Sequence, residues 1–383
     1  MNDVVIVGAV RTPFGRRNGV LSGYHSIDLL AGALKSVVER AGIDPAEVGQ
    51  VIGGCVSQVG MQAMNVTRQA WLTAGLPYQV PATTVDSQCG SSQQAMTLAW
   101  GLVKSGAIDV AIACGVELMS KVPLGSNVPK DGSLGKAVTR SYWQHHTYTS
   151  QFQAAELIAD KWSITRSDTD AFGVLSQERA ARATAEHRFD TQFAPVSVES
   201  EQGSRVVTVD EGLRKTTLEG LADLRTNLPD GIHTAGTSSQ VSDGASALVL
   251  MSAERARALG LTPLATVVDS ILVGSDPELM LTGPIDATRK LLDKAGLGMG
   301  DLGLVEINEA FAAVVLAWER ELKTDLTHVN PNGGAIALGH PLGATGVGLL
   351  TKAVYEMNRT DTEHALVTMC CGGGLATGTL LRR

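Results

Sequence analysis

Strand-like and helix-like patterns alternate through the first 118 residues of the chain. Residues 4–10 and 51–53 are short apolar runs, which predict buried strands. Between them, apolar residues recur at helical spacing from Ser26, which we expect to cap a helix, until Gly42 stops it. The alternation continues with a strand, a helix and a strand at residues 82–86, 92–105 and 109–114. This series predicts an α/β fold with a parallel sheet that helices cover on both faces.

The C-terminal part of the chain repeats this order of elements. Segments 51–53, 83–86 and 111–115 correspond in pattern to segments 305–307, 327–330 and 366–370. We therefore expect a pseudo-duplicated fold, with two sheets packed through shared central helices. Residues 119–242 are polar and turn-rich at first and then helical, which predicts an inserted loop domain. One half would then comprise residues 1–118 plus 243–263, and the other residues 264–383.

Composition narrows the class of protein. A net charge of −8 argues against nucleic acid as the main partner. The five cysteines form no Cys-x-x-Cys pair, which favours reduced thiols over a disulfide framework. Apolar runs stay short of the roughly 18–20 residues that a membrane span needs, and no basic leader precedes the first strand. We expect a cytoplasmic protein without a membrane span.

Three turns rich in glycine and serine hold residues with nucleophilic or acid–base chemistry. Cys89 lies in Asp86-Ser87-Gln88-Cys89-Gly90-Ser91-Ser92, His340 follows Gly339, and Cys370 precedes Cys371-Gly372-Gly373-Gly374. Small residues let backbone N–H groups come close to a ligand. The pattern indicates sulfur chemistry beside a backbone site for an oxyanion.

Each of these residues also has a structural interpretation. A free cysteine is more often a small buried hydrophobe, and a lone histidine is more often structural. Cys89 ends a strand and begins a helix, where the positive helix end favours a thiolate. His340 lies in a glycine-rich loop and could take the Cys89 proton. These positions favour the catalytic interpretation.

Asn308 and Glu309 follow an apolar strand, and two interpretations of them stay open. The pair could be a helix cap with an acidic first turn. Alternatively, the Asn308 amide could hold a water against a developing oxyanion. The sequence shows neither clustered metal ligands nor the glycine fingerprint of a dinucleotide site, so we expect no metal.

Taken together, these motifs resemble the thiolase family along essentially the whole chain. The family's nucleophilic cysteine corresponds to Cys89. Its Asn-Glu-Ala-Phe segment corresponds to Asn308-Glu309-Ala310-Phe311, its Gly-His-Pro segment to Gly339-His340-Pro341, and its Cys-x-Gly-Gly segment to Cys370-Cys371-Gly372-Gly373. The resemblance implies the five-layered αβαβα thiolase fold, with two pseudo-repeated halves and an inserted loop domain.

The resemblance also implies a mechanism. His340 would deprotonate Cys89, whose sulfur attacks the 3-keto carbon of a 3-ketoacyl-CoA. His340 and a water on Asn308 would stabilise the acetyl-CoA enolate, which Cys370 would protonate. Coenzyme A would then take the acyl group from Cys89, while N–H groups of Cys89 and Gly372 hold the second oxyanion.

Coenzyme A enters this scheme as a co-substrate, with no tightly bound cofactor. The resemblance places the pantetheine arm along residues 230–245, and the short-chain family's His-Met-Gly segment corresponds to residues 150–153. The substrate-binding candidates are Ala235, Gly236, Ser239, Ala310, Phe311 and Phe152. By position, the candidates for binding the phosphates of coenzyme A are Arg214, Lys215 and Arg225. Each of them is explained equally well as an ordinary solvent-exposed surface charge.

The family resemblance further implies a homodimer or homotetramer. Segments 231–239 and 311–318 look most like actinobacterial thiolases that shorten sterol side chains, so a bulky or long acyl group is expected. The alternative is a biosynthetic acetoacetyl-CoA thiolase, although the missing His-Met-Gly segment weighs against it. A Cys-His hydrolase would not need Cys370, and a non-catalytic lipid carrier would need none of the four catalytic candidates.

Overall fold

The structure is a computed structural model that describes residues 3–129, 131–200 and 203–383. In these residues the strands are β1 (Val4–Arg11), β2 (Gly15–Arg16), β3 (Gln50–Gly54), β4 (Ala82–Val85), β5 (Val110–Leu118), β6 (Val196–Ser200), β7 (Gly203–Val207), β8 (Ser242–Ser252), β9 (Ala265–Gly274), β10 (Leu304–Ile307), β11 (His364–Cys371) and β12 (Leu375–Arg382). The helices are α1 (Ser26–Ala41), α2 (Val66–Thr73), α3 (Ser91–Lys104), α4 (Gln151–Lys161), α5 (Arg166–Ala185), α6 (Leu218–Ala222), α7 (Ala253–Ala258), α8 (Gly283–Ala295), α9 (Ala312–Leu322), α10 (Ala335–Leu338) and α11 (Leu342–Thr360).

Hydrogen bonds join most of these strands in the order β10-β11-β12-β9-β1-β8-β5-β3-β4. The β3–β4, β3–β5 and β10–β11 pairs are parallel, as the strand–helix alternation predicts. The β1–β8, β5–β8, β11–β12 and β12–β9 pairs are antiparallel, so the sheet is mixed and not parallel as expected. The structure differs from the two separate sheets expected, because Val4, Val5 and Ile6 of β1 pair antiparallel with β9. This short contact lets the two halves share one continuous sheet.

Side chains on β1 show how the layers form. Val4 and Ile6 point into a central core, whereas Val5 and Val7 point into an outer core with α1 and α2. This alternation follows from the period of two along a strand. On the other half, α8 packs outside β9, β11 and β12. The helices α3 and α11 lie in the middle and contact strands of both halves, which gives five layers.

The two central helices cross at close range near their N-termini. A Cβ on Gly346 of α11 would lie 2.5 Å from the backbone nitrogen of Gln93 in α3, so this crossing requires glycine. The hydroxyl of Ser92 accepts a hydrogen bond from the Val347 N–H at 3.0 Å. The segments that precede the two helices, which carry Cys89 and His340, are therefore held at the same end of the central layer.

One helix start differs from the sequence expectation. The first helix is capped by His25, whose Nδ1 accepts the Ile27 N–H at 3.2 Å, and Ser26 is already helical. Histidine supplies the same kind of acceptor as serine, which is why the pattern misplaced the cap by one residue. Throughout the ranges that the structure describes, no helix combines the length and apolarity needed to cross a membrane.

Candidate active site

Cys89 lies in a tight turn between β4 and α3. Gln88 adopts a φ of +52°, a left-handed conformation that non-glycine residues rarely take. The Asp86 carboxylate accepts the Gln88 N–H at 2.7 Å, and the Ser91 hydroxyl donates to the Gln88 carbonyl at 2.6 Å. These bonds hold the strained backbone in place, so the turn fixes Cys89 directly before the helix.

Backbone donors surround the Cys89 sulfur. Burial raises the pKa of the Cys89 thiol to about 11, and the backbone N–H groups of Gly372 and of Cys89 itself partly offset this rise. Carboxylates at Glu117 and Asp86 raise the pKa further. The thiol is therefore protonated at neutral pH and needs a base. The two N–H groups form a place where negative charge can be held.

Cys370 and Cys371 end β11 and point to opposite faces of the sheet. Burial raises the pKa of the Cys370 thiol, and the proximity of Cys89 raises it further. Cys370 belongs to the same hydrophobic cluster as Ile307 and Phe311, whereas Cys371 joins the central core. The Cys371 sulfur donates to the Met369 carbonyl at 3.8 Å.

Gly90 lies directly against the Cys371 sulfur, because a Cβ on Gly90 would come within 2.5 Å of it. Cys371 is thus enclosed by backbone in the central core. Of the adjacent thiols, Cys370 is the one that shares a hydrophobic cluster with the substrate candidates Ala310 and Phe311.

His340 follows Gly339, whose φ of +109° turns the chain into the site. The imidazole Nδ1 lies 2.6 Å from the Thr345 hydroxyl, which itself donates to the Pro341 carbonyl at 2.8 Å. Because the single hydroxyl proton is used there, Nδ1 must be the donor and Nε2 keeps its lone pair. Burial lowers the pKa of His340 to about 4, so the ring is neutral at physiological pH.

Asn308 is not a helix cap, because α9 begins at Ala312 with Phe311 in the capping position. Its Nδ2 lies 3.4 Å from the His340 Nε2. Its backbone N–H donates to the Thr368 carbonyl at 3.1 Å, two residues before Cys370. The side chain is fully buried, and its Oδ1 has no hydrogen-bond partner among the described residues. An unpaired buried amide oxygen is suited to a ligand or a bound water.

Glu117 is a functional candidate that the sequence interpretation missed. This carboxylate at the end of β5 is fully buried and, among the described residues, accepts hydrogen bonds from four nitrogen donors and from the Cys55 sulfur at 4.0 Å. The nitrogen donors are Val56 N at 2.9 Å, Ser57 N at 3.1 Å, Gln62 Nε2 at 2.7 Å and Gly343 N at 3.0 Å. Burial raises its pKa, and these donors lower it. The carboxylate therefore fastens the first turn of α11, which follows His340, to β5. An acid in the otherwise apolar strand was the available signal.

Four of the six substrate-binding candidates, Phe152, Ser239, Ala310 and Phe311, lie together and form what we call the wall. Ser239 N donates to the Ala310 carbonyl at 2.9 Å, and Ala312 N donates to Thr237 at the same distance. The rings of Phe152 and Phe311 meet edge to face at 5.5 Å between centroids. Pairing of two distant segments thus builds this wall.

The other candidates differ in their surroundings. Gly236 is buried, and a Cβ there would lie 2.3 Å from Leu221, whereas Ala235 is exposed. Arg214 donates to the Ala235 carbonyl at 3.3 Å. Lys215 and Arg225 are exposed, which is compatible with either interpretation of their charge.

A cavity of about 300 Å³ opens beside Gly372, and we call it the Gly372 cavity. Gln88, Gln151, Phe152 and Gly373 contribute to its lining, so it connects the Cys89 turn with the inserted segment. A wider groove of about 590 Å³, near Phe189 at the end of α5, contains none of the predicted site residues.

Comparisons with known proteins agree with this geometry. The family model described as "Thiolase, N-terminal domain" matches residues 4–254, and "Thiolase, C-terminal domain" matches residues 261–383. The steroid 3-ketoacyl-CoA thiolase FadA6 of Mycobacterium tuberculosis is 45% identical over 389 residues, which cover 100% of this chain and 95% of FadA6. A 3-ketoacyl-CoA thiolase of Bacillus subtilis is 41% identical over 387 residues, or 98% of each chain.

A solved structure is also similar over its whole length. The crystal structure of the acetyl-CoA acetyltransferase of Bacillus anthracis superposes with a TM-score of 0.92 at 36% identity. The match covers 100% of this chain and 99% of that one.

Proposed function

Because this chain belongs to the thiolase family, we propose that it cleaves 3-ketoacyl-CoA with coenzyme A, and that Cys89 carries the acyl group between the two half-reactions. It is an acyltransferase with the thiolase fold. The observation that supports the residue assignment best is the position of the Cys89 sulfur, whose pKa is lowered by the Gly372 N–H and which lies close enough to Cys370 to raise the pKa of that second thiol.

In the first half-reaction, the His340 Nε2 takes the proton of Cys89. The sulfur attacks the 3-keto carbon, and the bond between Cα and Cβ breaks. The electron pair moves onto the acetyl-CoA fragment as an enolate, whose oxygen is stabilised by the protonated imidazole and by a water on Asn308. Cys370 then gives its proton to the carbanion carbon, and acetyl-CoA leaves.

In the second half-reaction, the Cys370 thiolate takes the proton of coenzyme A. The new thiolate attacks the acyl-Cys89 thioester, and the N–H groups of Cys89 and Gly372 hold the tetrahedral oxyanion. Cys89 leaves as a thiolate and recovers its proton from His340, so every proton and electron pair is returned. Loss of one oxyanion donor typically costs about 10²–10³ in rate.

A substrate panel tests this function. The purified protein would be mixed with coenzyme A and 3-ketoacyl-CoA of increasing chain length, and the loss of the enolate absorbance would be followed. We expect turnover with coenzyme A and none without it. Release of free acid in the absence of coenzyme A would instead indicate a Cys-His hydrolase.

The same site can run in the condensing direction, and curated relatives carry both kinds of name. The acetyl-CoA acetyltransferase of Paracoccus denitrificans is 39% identical over the full length. Phe152 packs against Phe311 and corresponds in sequence to the short-chain His-Met-Gly segment, which supports a bulky or long acyl group. Faster turnover of acetoacetyl-CoA than of any longer substrate would favour the biosynthetic direction.

Three further proposals accompany this function. Residues 1–118 plus 243–263 and residues 264–383 form the catalytic halves, and residues 119–242 bind coenzyme A as a co-substrate. The edge strand β4, together with the exposed side chain of Tyr78, supports assembly into a homodimer or homotetramer. Chemistry that needs two reduced thiols supports a cytoplasmic location.

A further inference from the structure

The Gly372 cavity combines apolar walls with polar groups that carry no charge. Phe152 and Met280 supply apolar surface, while Gln88, Gln151, Tyr142 and Tyr148 supply amides and phenols. In the part of the chain that the structure describes, no Asp, Glu, Lys, Arg or His lines this cavity. A cavity of this kind suits an acyl group that is largely hydrocarbon and carries a neutral polar substituent.

Two carboxamides converge directly over Gly372. A methyl group on the Gly372 Cα would lie 3.3 Å from the Gln88 Oε1 and 3.4 Å from the Gln151 Nε2. The absence of a side chain at Gly372 therefore leaves a space between the two amides. This space adjoins the Gly372 N–H, which lowers the pKa of the Cys89 thiol.

The local structure does not need either amide side chain. Among the described residues, neither side-chain amide makes a hydrogen bond, although both side chains are partly buried. Gln151 is the first residue of α4, but the cap of that helix is formed by Ser150 and Gln153, at 2.9 and 3.2 Å. The side chain of Gln151 is thus available to a ligand.

The chemistry of the two amides limits the ligand. Each carboxamide can donate and accept, and together they can satisfy a carbonyl or a hydroxyl. A carboxylate on the acyl group would be desolvated here without a cation to pair with, which is unfavourable. The substituent would lie within a few bonds of the thioester carbonyl, because Gly372 borders both.

On the premise of the proposed thiolase function, we propose that Gln88 and Gln151 select 3-ketoacyl-CoA substrates whose acyl group carries a second keto or hydroxyl group close to the cleaved bond. The aromatic and aliphatic walls accept the hydrocarbon part, and the two amides bind the substituent. Gln151 acts here as a specificity residue and takes no part in bond breaking.

The experiment compares 3-ketodecanoyl-CoA with 3,6-diketodecanoyl-CoA, which differ by one carbonyl. We expect kcat/KM to be about 2- to 10-fold higher for the diketo substrate, the usual range for one net hydrogen bond in a partly solvated site. In Gln151→Leu the ratio of the two kcat/KM values should fall to about 1, and Gln151→Asn should restore part of it.

The control variant is Gln144→Leu, which changes an exposed glutamine of the same segment that does not line the cavity. It should keep the wild-type ratio. An equal loss for both substrates in Gln151→Leu, or a wild-type ratio near 1, would overturn the inference. Failure of the wild-type protein to turn over either substrate would instead count against the proposed thiolase function.

Discussion

Cys89 and Cys370 are buried thiols that lie close enough for Cys89 to raise the pKa of Cys370, yet their backbone surroundings differ. Cys89 lies in a strained turn before α3 and receives an N–H from Gly372 on another segment. Cys370 lies in β11, where only its own N–H offsets burial. Because both residues are cysteines, the difference indicates that the backbone N–H donors near each sulfur decide which one carries negative charge and which one serves as a proton donor.

The strongest test of this comparison removes the nucleophile. Cys89→Ala should lower kcat for thiolysis by at least about 10⁴-fold, because no other group can form the acyl intermediate. The measurement is steady-state turnover of a 3-ketoacyl-CoA with coenzyme A, with circular dichroism to verify the fold. The matched control is Cys114→Ala, which removes a buried thiol of β5 that lies in the outer core. Near-normal turnover in Cys89→Ala would refute the assignment.

Removal of the second sulfur should separate acylation from turnover. Cys370→Ala should lower kcat by about 10²–10⁴-fold, the usual contribution of a general acid or base. Cys89 should nevertheless be acylated by acyl-CoA, since its base and its oxyanion donors are intact. Intact-protein mass spectrometry would detect this adduct, and a missing adduct would contradict the division of roles.

The neighbouring thiol provides a matched control for that experiment. Cys371 faces the central core, and its sulfur is hydrogen-bonded to the Met369 carbonyl. Cys371→Ala should therefore retain turnover within about threefold and mainly lower stability, by about 1 kcal/mol for a small buried side chain. Equal kinetic losses in Cys370→Ala and Cys371→Ala would show that the motif does not distinguish the two thiols.

The sequence predicted the parts of the site that lie within one segment. The turn at Cys89, the Gly-His-Pro loop and the Cys-x-Gly-Gly segment are local patterns, and the family to which they point is confirmed. Strand–helix alternation likewise predicted the layered fold, because periodicity is a local property.

Features that depend on contacts between distant segments could not be predicted. The bond from Gly343 N to Glu117 joins residues 226 positions apart, and the sequence shows only an acid in an apolar strand. The role of Asn308 stayed open until the start of α9 at Ala312 excluded a cap. The tautomer of His340 depends on a single hydroxyl proton of Thr345.

Deprotonation of Cys89 requires that the His340 imidazole be neutral. The pH dependence of the free energy of unfolding tests this. Burial lowers the pKa of His340 from 6.5 to about 4, so the unfolded chain takes up a proton in this window that the folded chain does not. Stability should be complete above pH 6.5 and fall as pH drops towards 4, by about 3 kcal/mol in total. Urea unfolding at a series of pH values would measure this, and His340→Gln should lose that part of the pH dependence. A wild-type profile as flat as that of the variant would contradict a neutral buried imidazole.

The smallest expected effect sharpens the contrast between the two sulfurs. The Asp86 carboxylate raises the pKa of Cys89 and has no such effect on Cys370. Asp86→Asn removes the charge but keeps an oxygen that can accept the Gln88 N–H, so the turn should persist. The pKa of Cys89 should fall by a few tenths of a unit, and alkylation by iodoacetamide at neutral pH should become about twofold faster. Peptide mapping would show whether the gain is confined to Cys89. An equal gain in alkylation rate at Cys370 would mean that the Asp86 carboxylate acts equally on both sulfurs. The distinction between them would then depend on the Gly372 N–H alone.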